Sequence, residues 1–324
     1  MKTKLVYILT SSDKDIFLEQ AYVSMFSARQ YMPDVHIVLL TDTITYQNIK
    51  NDSYRCRLSE YVNEFIPREL SSDYNNTERS RWLKTNMRSL VEGRFLFVDT
   101  DTVICGNLSE VDEWNCNIGA VWDFHVPFSL HPLLDYKKRL LKKMYGLDMP
   151  TDINYYNSGV MFVNDTEETH RFFDMWHTNW EKARHVENGY RDQQSLIKTE
   201  YDLSQFITPI SGNYNCQVLC SIQYLYTAKI VHFFNSKYSR DILSPFFEKK
   251  FYMDIKEKQC LDKEHMEMVV NCKTMFVSPT FLIGKNELVI RSSYVYKVFY
   301  AICRHKYLFR FFNFLSKHII KFFK

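Results

Sequence analysis

Two carboxylates close an unbroken apolar run in Phe95-Leu96-Phe97-Val98-Asp99-Thr100-Asp101. A short continuous apolar run is how a strand buried on both faces reads. In extended chain, residues i and i+2 point to the same side. Asp99 and Asp101 are therefore expected to converge at the end of a central strand, the edge where open α/β sheets bind ligands. Two hard oxygen donors at such an edge suit Mg²⁺ or Mn²⁺, and through it a phosphate-bearing ligand. In isolation the same residues could form an Asp-rich turn, because aspartate bonds its own local backbone. The elements around the pair decide between the two.

Residues 5–9 read as a first strand, followed by the small polar loop Thr10-Ser11-Ser12-Asp13. A helix over 15–31, ended by Pro33, and a second buried strand over 35–40 complete a β-loop-α-β unit, which argues for a parallel sheet. A helix over 78–91 carries Arg81, Lys84 and Arg88 into the strand that ends at Asp99. A further strand over 118–122 ends at Asp123, and residues 131–144 read as a basic helix. A strand over 155–163 contains Asn157-Ser158-Gly159. Asp165 and Glu168 then form a capping-box pattern ahead of a helix whose Phe172, Trp176 and Trp180 repeat every four residues. Asn188-Gly189 is a stop signal, Arg191-Asp192-Gln193-Gln194 opens a short helix, and a late strand over 229–233 carries His232.

Length and composition bound the class. The chain of 324 residues, 46% hydrophobic, has ample material for a large core, and its 8 Gly and 8 Pro exclude collagen-like or low-complexity character. A net charge of +3 is too small to indicate a nucleic-acid partner for the whole chain. The eight cysteines include no Cys-x-x-Cys pair and read as reduced core residues of an intracellular protein. The apolar run at 5–9 is too short for a secretory signal, and no run of eighteen apolar residues is present to span a bilayer.

The ordered set of motifs resembles the retaining, metal-dependent family-8 glycosyltransferases of GT-A fold, which include bacterial lipopolysaccharide galactosyl- and glucosyltransferases. The likeness covers roughly residues 3–240 and rests on five motifs in sequence: small polar groups after the first strand, a basic helix, the apolar strand with Asp-x-Asp, Tyr156-Asn157-Ser158-Gly159-Val160-Met161-Phe162-Val163-Asn164 with Asp192-Gln193, and a strand bearing His232. It implies an α/β fold with a mostly parallel central sheet flanked by helices. Residues 1–245 form the catalytic domain and 246–324 a C-terminal extension. It further implies that Asp99, Asp101 and His232 hold Mn²⁺ or Mg²⁺. The donor, a UDP-sugar, is met by Thr10, Ser11 and Ser12 at the uridine, by Arg81 or its substitute Lys84 at the phosphates and sugar, and by Asp99 and Thr100. Asn157, Ser158 and Gly159 line the pocket. Asp192 and Gln193 lie near the anomeric carbon, compatible with covalent attack or with stabilisation of an oxocarbenium-like ion. One departure stands out. After His232, Asn235 occupies the family's Gly position, Lys237 stands five residues on where the family has Lys six on, and no Pro-Trp follows. Lys237 remains a candidate for the diphosphate.

From 288 to 324 there is no Asp or Glu, eight Lys or Arg, and many interleaved aromatics. Such a segment could pack on the domain as a C-terminal helix or line a basic aromatic groove for nucleic acid, but the composition best suits an anionic membrane surface, with basic groups at the headgroups and rings at the acyl boundary. It implies a cytoplasmic protein held peripherally on the inner face of the membrane, with a glycan or glycolipid acceptor. Two other readings compete. Phe97-Val98-Asp99-Thr100-Asp101-Thr102-Val103 also fits the nucleophile motif of haloacid-dehalogenase-like phosphatases, although no Gly-Asp-x-x-x-Asp or Asp-Asp follows it. A non-catalytic membrane-surface binding protein would make the tail the working part.

Overall fold

The computed structural model describes residues 1–186, 190–220, 222–234, 244–275, 293–303 and 305–319. Seven strands build the main sheet: β1 (Lys4–Leu9), β2 (Ile37–Asp42), β3 (Glu64–Arg68), β4 (Phe95–Val98), β6 (Ile118–Trp122), β7 (Tyr156–Val163) and β8 (Ile207–Pro209). Their order is β3-β2-β1-β4-β7-β6-β8. The strands β3, β2, β1 and β4 pair in parallel, as do β6 and β8, while β7 runs antiparallel to both its neighbours. A small second sheet places β10 (Ile230–His232) between β5 (Thr102–Ile104), antiparallel, and β9 (Cys216–Gln217), parallel. Pro67 sits in the edge strand β3, where a missing N–H is tolerated.

The period-2 geometry of strands is visible in how β1 divides its side chains. Leu5, Tyr7 and Leu9 join one core cluster; Val6 and Ile8 join the other on the opposite face. The first cluster is shared with α1 (Phe17–Tyr31), α8 (Lys249–Lys258) and α9 (Lys263–Val270), so residues 244–275 pack into the same core as the N-terminal strands through Phe246, Tyr252, Ile255 and Val269. The second cluster is covered by α3 (Asn76–Thr85), α4 (Met87–Leu90), α6 (Glu167–Ala183) and α7 (Asp192–Asp202). Each large apolar side chain buried in these layers contributes roughly 1.5–3 kcal/mol relative to exposure.

Three local expectations are corrected. The helix expected over 78–91 is two helices, parted at Asn86, whose side-chain amide donates to Trp82 O and so competes with the helical ladder. The cap of α6 is Thr166 with Thr169, not Asp165 with Glu168. Asp165 instead accepts from Gly93 N and pairs with Arg88, which ties the turn before β4. The helix opened by Asp192 is longer than expected and runs to Asp202. The stop signal Asn188-Gly189 lies outside the described residues.

Two terminal helices, α10 (Tyr294–Cys303) and α11 (Lys306–Ile319), pack on each other. Tyr294, Val298 and Phe299 on the first, and Leu308, Phe312, Leu315 and Ile319 on the second, are exposed. Among the described residues no helix is long and apolar enough to cross a membrane.

Candidate metal and donor site

The parallel strands β1 and β4 end at one edge of the sheet, and the antiparallel β7 begins there. Residues from C-terminal strand ends therefore meet residues from an N-terminal strand start. Asp99 follows β4 directly, its N–H donating to Gly159 O at 2.8 Å and its carbonyl accepting from Thr102 Oγ1 at 2.8 Å. Asp101 O accepts from Phe233 N at 3.0 Å, which fastens the end of β10 beside the acidic pair. In the β5–β10 register His232 stands opposite Thr102. Asp99, Asp101 and His232 thereby offer ligand atoms that all lie within 4.8 Å of one another.

The donor set fits a hard divalent cation: two carboxylates and an imidazole. Two details strengthen the fit. His232 Nδ1 lies 2.9 Å from Asn215 Oδ1, an acceptor, so Nδ1 carries a proton and Nε2 is left with its lone pair. Nε2 in turn lies 3.1 Å from Asp101 Oδ1, a contact that a proton on Nε2 or a bound cation between the two atoms would satisfy. Gly159 leaves the space behind the cluster open, since a Cβ built there would overlap the His232 ring and come within 2.9 Å of Asp99 Oδ2. Burial raises the Asp99 pKa, Lys84 opposes that, and the neighbouring Asp101 charge raises it further. A bound cation would relieve both pressures.

Two cations from α3 complete the wall. Lys84 is buried, with Nζ 3.3 Å from Asp99 Oδ1, 3.2 Å from Asp192 Oδ2 and donating to Ser158 Oγ at 3.3 Å. Arg81 Nε lies 3.0 Å from Asp192 Oδ1. Ser158 Oγ donates to Asp192 Oδ2 at 2.7 Å. Burial acts to raise the Asp192 pKa, but Arg81, Lys84 and Ser158 outweigh it and hold the carboxyl well below the usual range. Asp192 is thus an ionised carboxylate with both oxygens engaged. Beside it, Gln193 donates from Nε2 to Tyr156 O at 2.9 Å, and its Oε1 accepts from Lys137 Nζ at 3.4 Å.

Two cavities flank this wall and share Arg81, Lys84, Asp99 and Asp101. One, about 210 Å³, opens over the ends of β1 and β4 and is lined further by Thr10, Phe17, Gln20, Asn76, Thr77 and Thr100. The other, about 300 Å³, is lined further by Asn157, Ser158, Gly159, Tyr190, Asp192, Gln193, His232 and Phe234. Sequence reasoning offered Arg81 and Lys84 as alternatives; both stand at Asp192. Thr10 borders the first cavity and donates to Asn76 O. Ser11 and Ser12 are not among its lining residues, because both hydroxyls bond Asp15. Lys237 lies outside the described residues. Sequence reasoning missed the roles of Asp123, His131, Lys137 and Asn215, which form a buried polar group beside the second cavity. Asp123 closes an apolar strand as Asp99 does, and that signal was available; Asn215 has no local pattern.

No protein-family model matches the chain, and no curated protein sequence matches it. Solved structures do. The bifunctional glycosyltransferase WbbM, in apo form, aligns over 82% of this chain and 51% of its own at TM-score 0.53 and 17% identity. This chain thus spans about half the length of WbbM. The galactosyltransferase LgtC, with donor and acceptor sugar analogues, aligns over 72% of this chain and 87% of its own at TM-score 0.50 and 14% identity. An active-site mutant of LgtC aligns over 81% and 98% at TM-score 0.52 and 13% identity. The fold is that of the GT-A glycosyltransferases: a seven-stranded, mostly parallel sheet flanked by helices.

Proposed function

We propose that this chain is a metal-dependent retaining glycosyltransferase of the family-8 kind, moving a hexose from a UDP-sugar to a glycan or glycolipid acceptor in bacterial surface polysaccharide or lipopolysaccharide synthesis. The observation that carries the reading is the Asp99–Asp101–His232 cluster at the boundary shared by two cavities. One cavity suits the nucleoside and the other the sugar and acceptor, with the diphosphate between them. The residues of the cleft fall within 1–245, and residues 246–275 support them from the same core.

Asp99, Asp101 and His232 would hold Mn²⁺ or Mg²⁺, which when bound supplies Lewis-acid stabilisation of negative charge on the departing diphosphate. Arg81 and Lys84 add fixed positive charge on the same side. Thr10 and Thr100 border the nucleoside cavity, Ser11 and Ser12 brace the following loop through Asp15, and Lys237 is kept, from the family resemblance alone, as a candidate for the diphosphate. Gly159 allows the backbone to approach closely, and Ser158 holds Asp192 in place. Asp192, kept ionised, stabilises positive charge at the anomeric carbon, and Gln193 presents its amide at the same wall.

The terminal helices support peripheral attachment to the inner face of the cytoplasmic membrane. Exposed apolar side chains run along α11, among them Tyr307, Leu308, Phe311, Phe312, Phe314 and Ile319, and residues 288–324 contain eight Lys or Arg and no acid. The occupant that matches both features is an anionic bilayer, next to which a lipid-anchored acceptor would be presented to the cleft.

Calorimetric titration of UDP, with and without Mn²⁺, on the wild type and on Asp101→Asn tests the central claim. Metal-dependent binding that disappears in the variant is expected. A folded wild type that fails to bind UDP would sink the transferase reading and direct attention to phosphatase assays.

A further inference from the structure

A continuous chain of hydrogen bonds runs from the metal-site imidazole into the protein. His232 Nδ1 meets Asn215 Oδ1 at 2.9 Å, Asn215 Nδ2 donates to Asn157 Oδ1 at 2.9 Å, and Asn157 Nδ2 donates to Asp123 Oδ1 at 3.1 Å. At its far end Asp123 Oδ2 faces His131 Nε2 at 3.1 Å and Lys137 Nζ at 3.3 Å. All six side chains are buried.

The direction of this chain is dictated by the groups that cannot reverse. A carboxylate accepts only. Burial acts to raise the Asp123 pKa, but Lys137, His131 and Asn157 hold it far below the usual range. His131 Nδ1 accepts from Leu133 N at 3.0 Å, so its Nε2 carries the proton that faces Asp123. Asn157 must therefore turn its NH₂ to Asp123. Its Oδ1 then faces the other way, where it also receives the Gly159 N–H at 3.0 Å, a group that only donates. With Asn157 pinned at both ends, Asn215 must present NH₂ to Asn157 and oxygen to His232. An oxygen facing Nδ1 requires the proton there, which leaves Nε2 free toward Asp101 and the cluster.

We infer that Asp123 is a positioning residue for the metal site, fixing the tautomer of His232 through Asn157 and Asn215. Negative charge at Asp123 aligns two amides, and the amides decide which ring nitrogen is the ligand. Reversing the chain at any link would point an N–H at the cluster where a lone pair is needed. The inference rests on the reading of His232 as a metal ligand, and it gives a role to the salt-bridged aspartate and the two asparagines buried between β6, β7 and β10.

The experiment is nitrogen-15 NMR of the imidazoles in full-length, metal-free protein, well above the ordinary imidazole pKa of about 6.5, with His232 assigned by its loss in His232→Gln. The wild type is expected to show His232 protonated at Nδ1. An Nε2–H tautomer overturns the proposal without any variant of Asp123. Asp123→Asn keeps the shape but offers an NH₂ to Asn157. It is expected to shift His232 toward the other tautomer and to weaken binding of Mn²⁺ alone by ~10-fold or more. Lys137→Met is the structural control. It disrupts the ion pair yet leaves Asp123 an acceptor, so tautomer and Mn²⁺ affinity should persist even if thermal stability falls. Equal losses in both variants, or no change in folded Asp123→Asn, refute the positioning role. Should Asp123→Asn fail to fold, Asn157→Leu cuts the chain one link nearer and must give the same spectral change. Absence of Mn²⁺ binding by the wild type would count against the metal site itself, separately from the tautomer.

Discussion

In the cleft, Arg81 and Lys84 lie within 3.3 Å of Asp99 or Asp192, whereas the terminal helices carry Lys297 and Arg310 on a stretch, 288–324, without one acidic residue. Lys84 and Asp192 are buried and Arg81 and Asp99 half-buried, whereas Arg310 is exposed and Lys297 lies half-buried over the rings of Tyr224 and Tyr294. Buried opposite charges that satisfy one another hold a geometry, and removing one partner leaves the other stranded at a cost of several kcal/mol. Exposed charge on an acid-free stretch, such as that of Arg310, fixes no comparable geometry. It produces a field that reaches about 10 Å at 0.1 M salt and waits for an anionic surface. The same residue types thus serve position in one region and attraction in the other.

Four perturbations break or sharpen this contrast. The largest effect is expected from Asp101→Asn, which should lower sugar transfer from UDP-hexose by at least ~10²-fold while the far-ultraviolet circular dichroism stays native. Near-normal Mn²⁺-dependent transfer would refute the metal assignment. Next, Gly159→Ala adds no charge but fills the space behind His232 and Asp99. Mn²⁺ affinity should fall by ~10-fold or more, as read by direct Mn²⁺ titration; an unchanged affinity would mean the backbone there can retreat. Third, deletion of residues 288–324 should release the protein from phosphatidylserine vesicles and leave UDP affinity intact. Each basic residue near such a surface contributes ~1 kcal/mol, and wild-type binding should weaken as salt is raised. Salt-independent vesicle binding, or binding that survives the deletion, would remove the tail from the account.

The smallest effect concerns a carboxylate buried without the cations that the cleft provides. Glu200 Oε2 accepts from Phe206 N and Ile207 N, and burial pushes its pKa up from 4.5 to about 7. The folded chain therefore holds a proton there that the unfolded chain has released. The associated stability is present below pH 4.5 and is lost as pH rises through about 7. Glu200→Gln is expected to raise thermal stability above pH 7 by about 1 kcal/mol, with the gain vanishing toward pH 5. A gain independent of pH would show that charge is not its source.

Much of this arrangement is legible from local pattern because the main strands are long or fully apolar. Phe95–Val98 and the acidic pair after it announce themselves, as do Phe172, Trp176 and Trp180 on α6. The strands β5, β8 and β9 are two or three residues long and have no period to read. His232 was found through resemblance, since one histidine in a short apolar strand is otherwise unremarkable. Asp123 reads as the end of a strand, but its partner Asn157 lies 34 residues away, and Asn215, which bonds Asn157, a further 58. Polar networks assembled across such separations follow from topology, which residue spacing does not encode. The capping box on α6 was misplaced by one residue because Asp165 answers to Gly93 and Arg88, both remote in sequence.

The pairing of β5 with β10 has a kinetic consequence. Asp101 and His232 are 131 residues apart, so the three-ligand cluster exists only after a long loop has closed, among the slower events for a chain to complete. The two aspartates alone make a poor chelate, so an ion that requires all three ligands finds no complete site on early intermediates. Its effect on refolding should fall mainly on the unfolding rate: metal acts as a latch on the finished sheet rather than as a seed for it.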